Sequence, residues 1–409
     1  MRKMYNHMRH SFVKVTIFGL ALALSACSST ASDSGRVAGE QAEAETQTKT
    51  EGAYMVYLGT NGAADAESIF IYNLNAETGE LTQRGAAKGG ARPTYLAFSE
   101  DRRFLYAVNE KGDFDGGKSG AVRAFSVDQQ TGQLTSLNQV ASKGTGPCHV
   151  SVDEQNGMVL VANYGGGNVA ALPLQPDGTL AAATGVGQHQ GSGPNKDRQE
   201  GPHAHYITPD PANKFVFAVD LGTDEVLGYR YRDNKLVPNE PAVAYACQPG
   251  SGPRHMAFHP SGRYAFVIHE LNSTMAALAY DAGKGTFTEI QTITTIPASF
   301  KENNQCSAVK VSADGRFLYG ANRGHNSIVV YAIDEATGRL TQVQLMSVGG
   351  DWPRDFTIDL TGNILLVANE RSHNVVTFKI DKATGKLTPS GHQVQVQGPM
   401  CPVVVPAFD

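Results

Sequence analysis

SIFIYNLNAETGEL, beginning at Ser68, and SIVVYAIDEATGRL, beginning at Ser327, are two copies of one phrase: an apolar-alternating strand, a polar turn ending in Thr-Gly, and a Leu that opens the next strand. The phrase returns as AVRAFSVDQQTGQL from Ala121, NVAALPLQPDGTL from Asn168, EVLGYRYRDNKL from Glu225, MAALAYDAGKGTF from Met275 and NVVTFKIDKATGKL from Asn374. A repeating unit of roughly 50 residues that holds several short strands is the mark of a β-propeller blade. Seven copies predict seven blades and an all-β fold.

A second phrase precedes the copies. It reads YLAFSEDRRFLYAVNE from Tyr95, HVSVDEQNGMVLVANY from His149, HYITPDPANKFVFAVDL from His205, HMAFHPSGRYAFVIHE from His255, AVKVSADGRFLYGANR from Ala308 and DFTIDLTGNILLVANE from Asp355. Each is two strands joined by a tight turn rich in Asp, Asn and Gly, residues that tolerate turn backbone angles. This alignment puts His149, His205 and His255 at one repeat position. The seventh copy is split: MCPVVVP near the C-terminus supplies its first strand and YMVYLGTN from Tyr54 its second. The chain ends are therefore expected to pair within one blade, which closes the ring and removes exposed strand edges.

Residues 1–26 read as a lipoprotein signal peptide. Arg2, Lys3, Arg9 and Lys14 form a basic leader, Val15 to Leu24 an apolar run too short to span a bilayer, and Leu24-Ser25-Ala26-Cys27 is similar to the bacterial lipobox, in which the Cys is lipidated. Residues 27–52 are polar and acidic and read as a disordered tether, leaving 53–409 as the propeller. The expected location is a periplasm-facing lipid anchor at Cys27. Loss of the leader takes the net charge from −5 to −9. No basic stripe remains, which argues against nucleic acid, and the chain is expected to be a monomer. Cys148, Cys247, Cys306 and Cys401 are favoured as buried free thiols, because three of them start first strands in different blades.

The strand order predicts where function sits. Starts of first strands and ends of second strands share one rim, and the long insertions fall there too: EKGDFDGGKSG from Glu110, GVGQHQGSGPNKDRQEGP from Gly185 and TTIPASFKENNQ from Thr294. Variable loops on one face mark a functional rim. First strands line the central channel, so Gly146-Pro147-Cys148-His149, Gly201-Pro202-His203-Ala204-His205, Gly252-Pro253-Arg254-His255 and Trp352-Pro353-Arg354-Asp355 should converge at its mouth with Glu110, Tyr164, Glu270, Arg323 and Glu370. Arginines, histidines and a carboxylate around a concave opening suit an anionic substrate and proton transfer.

Gly252-Pro253-Arg254-His255, His269-Glu270-Leu271-Asn272-Ser273, Asn322-Arg323-Gly324-His325-Asn326-Ser327 and Trp352-Pro353-Arg354-Asp355, in that order, resemble the seven-bladed lactonase family, which includes bacterial 6-phosphogluconolactonases and fungal carboxy-muconate cyclases. The resemblance runs from Tyr54 to Val405. It implies a lactone hydrolase that needs neither cofactor nor metal, acting on a sugar-acid lactone. It also implies a catalytic set of Arg254, Arg323, Glu270 and a histidine, His203 or His205. His203, outside the repeat pattern on a long loop, is the better placed to act; His149, His205, His255 and Arg354 are read as substrate-binding. Glu270 could orient Arg254 or, with His203 as the other choice, activate water. A non-catalytic binding scaffold and a muconate-type lactone-forming cyclase remain open, since fold alone does not decide function. Zinc-ligand spacing, a strand-to-helix Gly-rich phosphate loop and a Gly-x-Ser-x-Gly elbow are all missing from the sequence.

Overall fold

The computed structural model describes residues 53–408; the leader and tether read for residues 1–52 lie outside them. Those residues form seven antiparallel four-stranded sheets, each built from consecutive strands except one, in which Pro399–Pro406 and Ala53–Thr60 supply the inner half. In that blade Tyr54 faces Pro406 and Gly59 faces Cys401, so the two ends of the propeller close the ring as the split repeat predicts. The innermost strands are Leu96–Phe98, Pro147–Asp153, Ala204–Pro209, Pro253–Phe258, Gln305–Val311, Pro353–Ile358 and Pro399–Pro406.

Blades pack face to face, and the apolar core is a set of inter-blade clusters rather than one centre. Phe215, Phe217 and Val226 of one blade bury against Met256, Val267 and Leu278 of the next. The Thr-Gly turns contribute to the same joints. Gly132 and Gly385 adopt φ values of 73° and 71°, where Gly costs least, and their carbonyls accept from the buried hydroxyls of Tyr57 at 2.6 Å and Tyr319 at 3.0 Å in the neighbouring blade. One phrase of sequence thus sets both the blade and its junction.

Two local features differ from the sequence reading. Gly185–Gln188 is the outer strand of its blade, paired Asn168 with Gln188 through Ala171 with Gly185, so the insertion before His203 begins at His189. Five of the innermost strands also begin with a bulge. Pairing steps from Pro147–Asn163 to His149–Ala162, skipping Cys148, and the same skip isolates His205, Arg254 and Arg354. Met400 is skipped likewise in the closing blade. His205 therefore shares its repeat position with Cys148, Arg254 and Arg354, while Tyr206 is the counterpart of His149 and His255. The alignment that equated the three histidines is one residue out at His205.

A bulge adds a residue without a ladder partner and re-aims its side chain. Here it places those side chains at the channel mouth. Below them the strands resume their alternation, so Tyr95, His149, Tyr206, His255 and Asp355 form the next layer, with ring centroids 3.9 Å apart for His149–Tyr206 and 4.2 Å for Tyr95–His149. One step deeper, Ala97, Ser151, Thr208, Ala257, Lys310, Thr357 and Val403 are all partly exposed although they lie on the innermost strands. The channel is open at their level.

Candidate active site

The mouth of the channel holds four guanidiniums. Arg254 and Arg354 come from strand-start bulges, Arg323 ends the strand Phe317–Arg323, and Arg198 stands on the insertion that follows Gln188. Three of them meet one carboxylate. Glu270 Oε2 lies 2.5 Å from Arg323 Nη2 and 3.0 Å from Arg254 Nε, and Oε1 lies 2.5 Å from Arg198 Nη2. Glu270 is 3% exposed. Desolvation raises its pKa, but Arg323, Arg254 and Arg198 outweigh that and hold it at about 2. A carboxylate with both oxygens capped by guanidiniums is an anchor for those guanidiniums.

Arg323 and Arg254 also hold the backbone of the strand Gln305–Val311, Arg323 from within the same blade and Arg254 from the preceding one. Arg323 donates from Nε to the Gln305 carbonyl at 3.1 Å and from Nη2 to that of Cys306 at 3.0 Å. Arg254 donates from Nη1 to the Ser307 carbonyl of the next blade. Burial first, then Arg354 and Arg323, push the Arg254 pKa down, with Glu270 opposing. Arg254 Nη1 also lies 3.3 Å from His255 Nε2, which can only accept there.

Arg354 differs from the other three. Among the described residues it makes no hydrogen bond or ion pair, and it is only partly buried. Glu110, Glu370 and Glu270 raise its pKa against the burial that lowers it. Beside it stands the sole tryptophan, Trp352, whose ring centroid lies 5.3 Å from the Arg323 guanidinium carbon and 3.4 Å from that of Arg371.

The histidines fall into two kinds. His203 has both ring nitrogens engaged: Nδ1 donates to the Tyr164 carbonyl at 3.0 Å, and Nε2 lies 3.1 Å from Glu200. Its ring stacks on Tyr164 at 4.4 Å. The loop that carries it is fixed from below, since Asp220 accepts from the His203 amide at 2.8 Å and pairs with buried His189 at 2.5 Å. His205, His149 and His255 are buried, and desolvation first, then nearby cations such as Arg254, pushes each pKa well down, so the rings are neutral at pH 7. His205 Nδ1 approaches Cys148 Sγ at 3.7 Å. Burial raises the Cys148 pKa to about 12, which leaves a protonated thiol and not a nucleophile. Cys148, Cys247, Cys306 and Cys401 are all free and buried.

Sequence reasoning brought Arg254, Glu270, Arg323 and Arg354 to one mouth, and the structure assembles them there. It missed Arg198, which no periodicity flags because its loop has no repeat partner. It quoted Asp355 within a motif without giving it a part. No group of metal-ligating side chains is present among the described residues.

A family model described as a seven-bladed β-propeller lactonase matches residues 55–404. The 6-phosphogluconolactonase of Bacillus subtilis is 42% identical over 308 residues, 75% of this chain and 86% of that protein. The periplasmic gluconolactonase of Pseudomonas aeruginosa superposes with a TM-score of 0.82 at 33% identity, covering 87% of this chain and 99% of that one. A Lactobacillus plantarum protein superposes with a TM-score of 0.79 at 34% identity, covering 86% and 99%.

Proposed function

This chain belongs to the seven-bladed β-propeller lactonase family, and from that premise we propose that it hydrolyses the lactone of a six-carbon sugar acid at the mouth where Arg198, Arg254, Arg323 and Arg354 gather. The observation that carries the reading is the excess of guanidinium over carboxylate there: Glu270 engages three arginines and leaves Arg354 without a partner among the described residues. An anionic ligand would complete that set. Arg354 would take the substrate's anionic or hydroxyl-rich end, since a guanidinium binds carboxylate or phosphate through two donors. Arg254, whose Nη2 has no partner among the described residues, would stabilise the oxyanion that forms at the lactone carbonyl. Glu270 fits an orienting role better than a basic one, because a carboxyl held at about 2 takes up a proton weakly. His203, with both nitrogens engaged, shapes the rim.

The two named relatives differ in substrate, one a 6-phosphogluconolactonase and the other a periplasmic gluconolactonase. The leader ending in Leu24-Ser25-Ala26-Cys27 supports a lipid-anchored, periplasm-facing protein and so the unphosphorylated lactone, whereas the guanidinium excess supports the 6-phosphate, and hydrolysis of both substrates separates them. The test is pH-stat hydrolysis of glucono-δ-lactone and its 6-phosphate by the protein lacking residues 1–52. Acid release above the spontaneous rate on either substrate supports the reading; none on both leaves the chain a binding scaffold.

A further inference from the structure

Directly beneath Arg254 and Arg354 the channel encloses a cavity of about 10 Å³ whose wall includes Tyr95, His255 and Asp355. That is room for about one water, provided polar partners surround it. They do. Asp355 Oδ1 accepts from the Phe356 amide at 2.8 Å and faces Lys310 Nζ at 3.7 Å, whereas Oδ2 has no partner among the described residues. His255 is neutral and gives its Nε2 lone pair to Arg254, so its proton is on Nδ1, a buried donor without an acceptor among the described residues. Asp355 and His255 are 3% and 2% exposed, so neither can turn to bulk solvent.

We infer that this cavity seats the hydrolytic water and that Asp355, through its unpartnered Oδ2, is the general base that activates it. The inference rests on the lactonase reading above. Lys310, Arg254 and Arg354 are the charged groups that face it. Unlike Glu270, it keeps one oxygen clear of any guanidinium. The water oxygen forms a bond to the lactone carbonyl carbon while its proton passes to Asp355 Oδ2, and the carbonyl oxygen becomes an oxyanion beside Arg254. The ring carbon–oxygen bond then breaks, the ring oxygen takes the proton back from Asp355, and the new carboxylic acid releases its own proton to solvent. One lactone and one water give one aldonate and one proton.

The test is Asp355→Asn, which keeps shape and removes the base. Because it strands Lys310 beside a neutral amide, the double variant Lys310→Gln with Asp355→Asn is made alongside, removing both charges of the pair. Binding of gluconate is read in each by fluorescence of Trp352, the only tryptophan, which reports whether the mouth is intact. The expected result is kcat lower by about 100-fold or more, with gluconate affinity and KM within about threefold of the parent. A smaller fall in kcat in either folded variant overturns the assignment. If the parent cleaves no lactone, the functional reading fails and takes the assignment with it. An active parent with an active Asp355→Asn overturns only the base.

Discussion

Arg198 Nη2 and Glu270 Oε1 lie 2.5 Å apart although 72 residues separate them in the chain. The contact fastens a loop with no repeat partner to the carboxylate that already holds two framework arginines. Removing that carboxylate leaves three buried or half-buried guanidiniums repelling one another. Glu270→Gln is expected to cost about 3–5 kcal/mol, the range for breaking a buried pair, and to abolish most turnover. The pH dependence has a definite sign. Glu270 titrates at about 2 when folded and near 4.3 when unfolded, so its contribution is complete above about pH 5 and is lost as pH falls through 2. Calorimetry between pH 2 and 7 should show a steep acid limb in the parent and a shallower one in Glu270→Gln.

Arg254 and Arg323 each join the proposed site to architecture, because both pair with Glu270 and both donate to backbone carbonyls at the start of Gln305–Val311. Lysine preserves the charge and loses the planar fork. Arg323→Lys forfeits at least one of three donor contacts, and a melting temperature lower by several degrees is expected together with reduced kcat/KM. Arg254→Lys should reduce kcat about tenfold or more, since the fork can no longer serve Ser307, Glu270 and a substrate oxygen together. Steady-state kinetics with thermal melts on both variants checks this; unchanged melting of Arg323→Lys would contradict the architectural half.

The blades were legible because their signals are local: an alternating strand, a glycine at positive φ, a restart. Closure was legible as the two strands left over at the ends. The bulge was not, because skipping Cys148, His205, Arg254 or Arg354 moves one residue without disturbing the apolar pattern on either side. That single step put His205 in the wrong layer. Gly185–Gln188 escaped because a glycine-rich outer strand with Val186 exposed has no apolar alternation to read. Asp355 needed Lys310 from the adjacent blade before its free oxygen had meaning.

Cys27 lies outside the described residues, and the anchor proposed for it rests on the likeness of Leu24-Ser25-Ala26-Cys27 to a lipobox. Cys27→Ser removes the only thiol that could carry the lipid there. Processing should stall, or the protein should leave the membrane pellet for the soluble fraction. Immunoblotting of fractionated cells decides it, and an unchanged distribution with normal processing would refute the anchor.

Deleting residues 399–409 strips Pro399–Pro406 from Ala53–Thr60 and uncovers a backbone edge paired from Tyr54 to Thr60. It also removes buried Met400, Cys401, Val404 and Val405 from the closing blade. An unpaired inner edge invites association with other chains. The truncated protein is expected to aggregate on size exclusion or to lose its cooperative melt, and a melt within about 2 °C of the parent would contradict closure by the chain ends.

Arg354 gives the cleanest separation of binding from folding. It has no hydrogen bond or ion pair among the described residues, so Arg354→Ala breaks no bonded contact, only longer-range attraction to Glu110, Glu370 and Glu270, and the melting temperature should stay within about 2 °C. The buried mouth around it still contains Arg254 and Arg323, so chemistry at the carbonyl should persist at saturating substrate. Affinity should not. A charge-assisted hydrogen bond contributes about 1.5–3 kcal/mol, which is about 10- to 150-fold in KM for a 6-phosphorylated lactone or in Ki for an aldonate. A neutral lactone, offering only hydroxyls to Arg354, should lose several-fold less, so the ratio of kcat/KM between the two lactones should shift toward the neutral one. Rising ionic strength should shift the parent's ratio the same way and leave that of Arg354→Ala nearly flat. Equal losses on both substrates would mean that Arg354 meets a group the two share, and the anion would then have to be sought at Arg198.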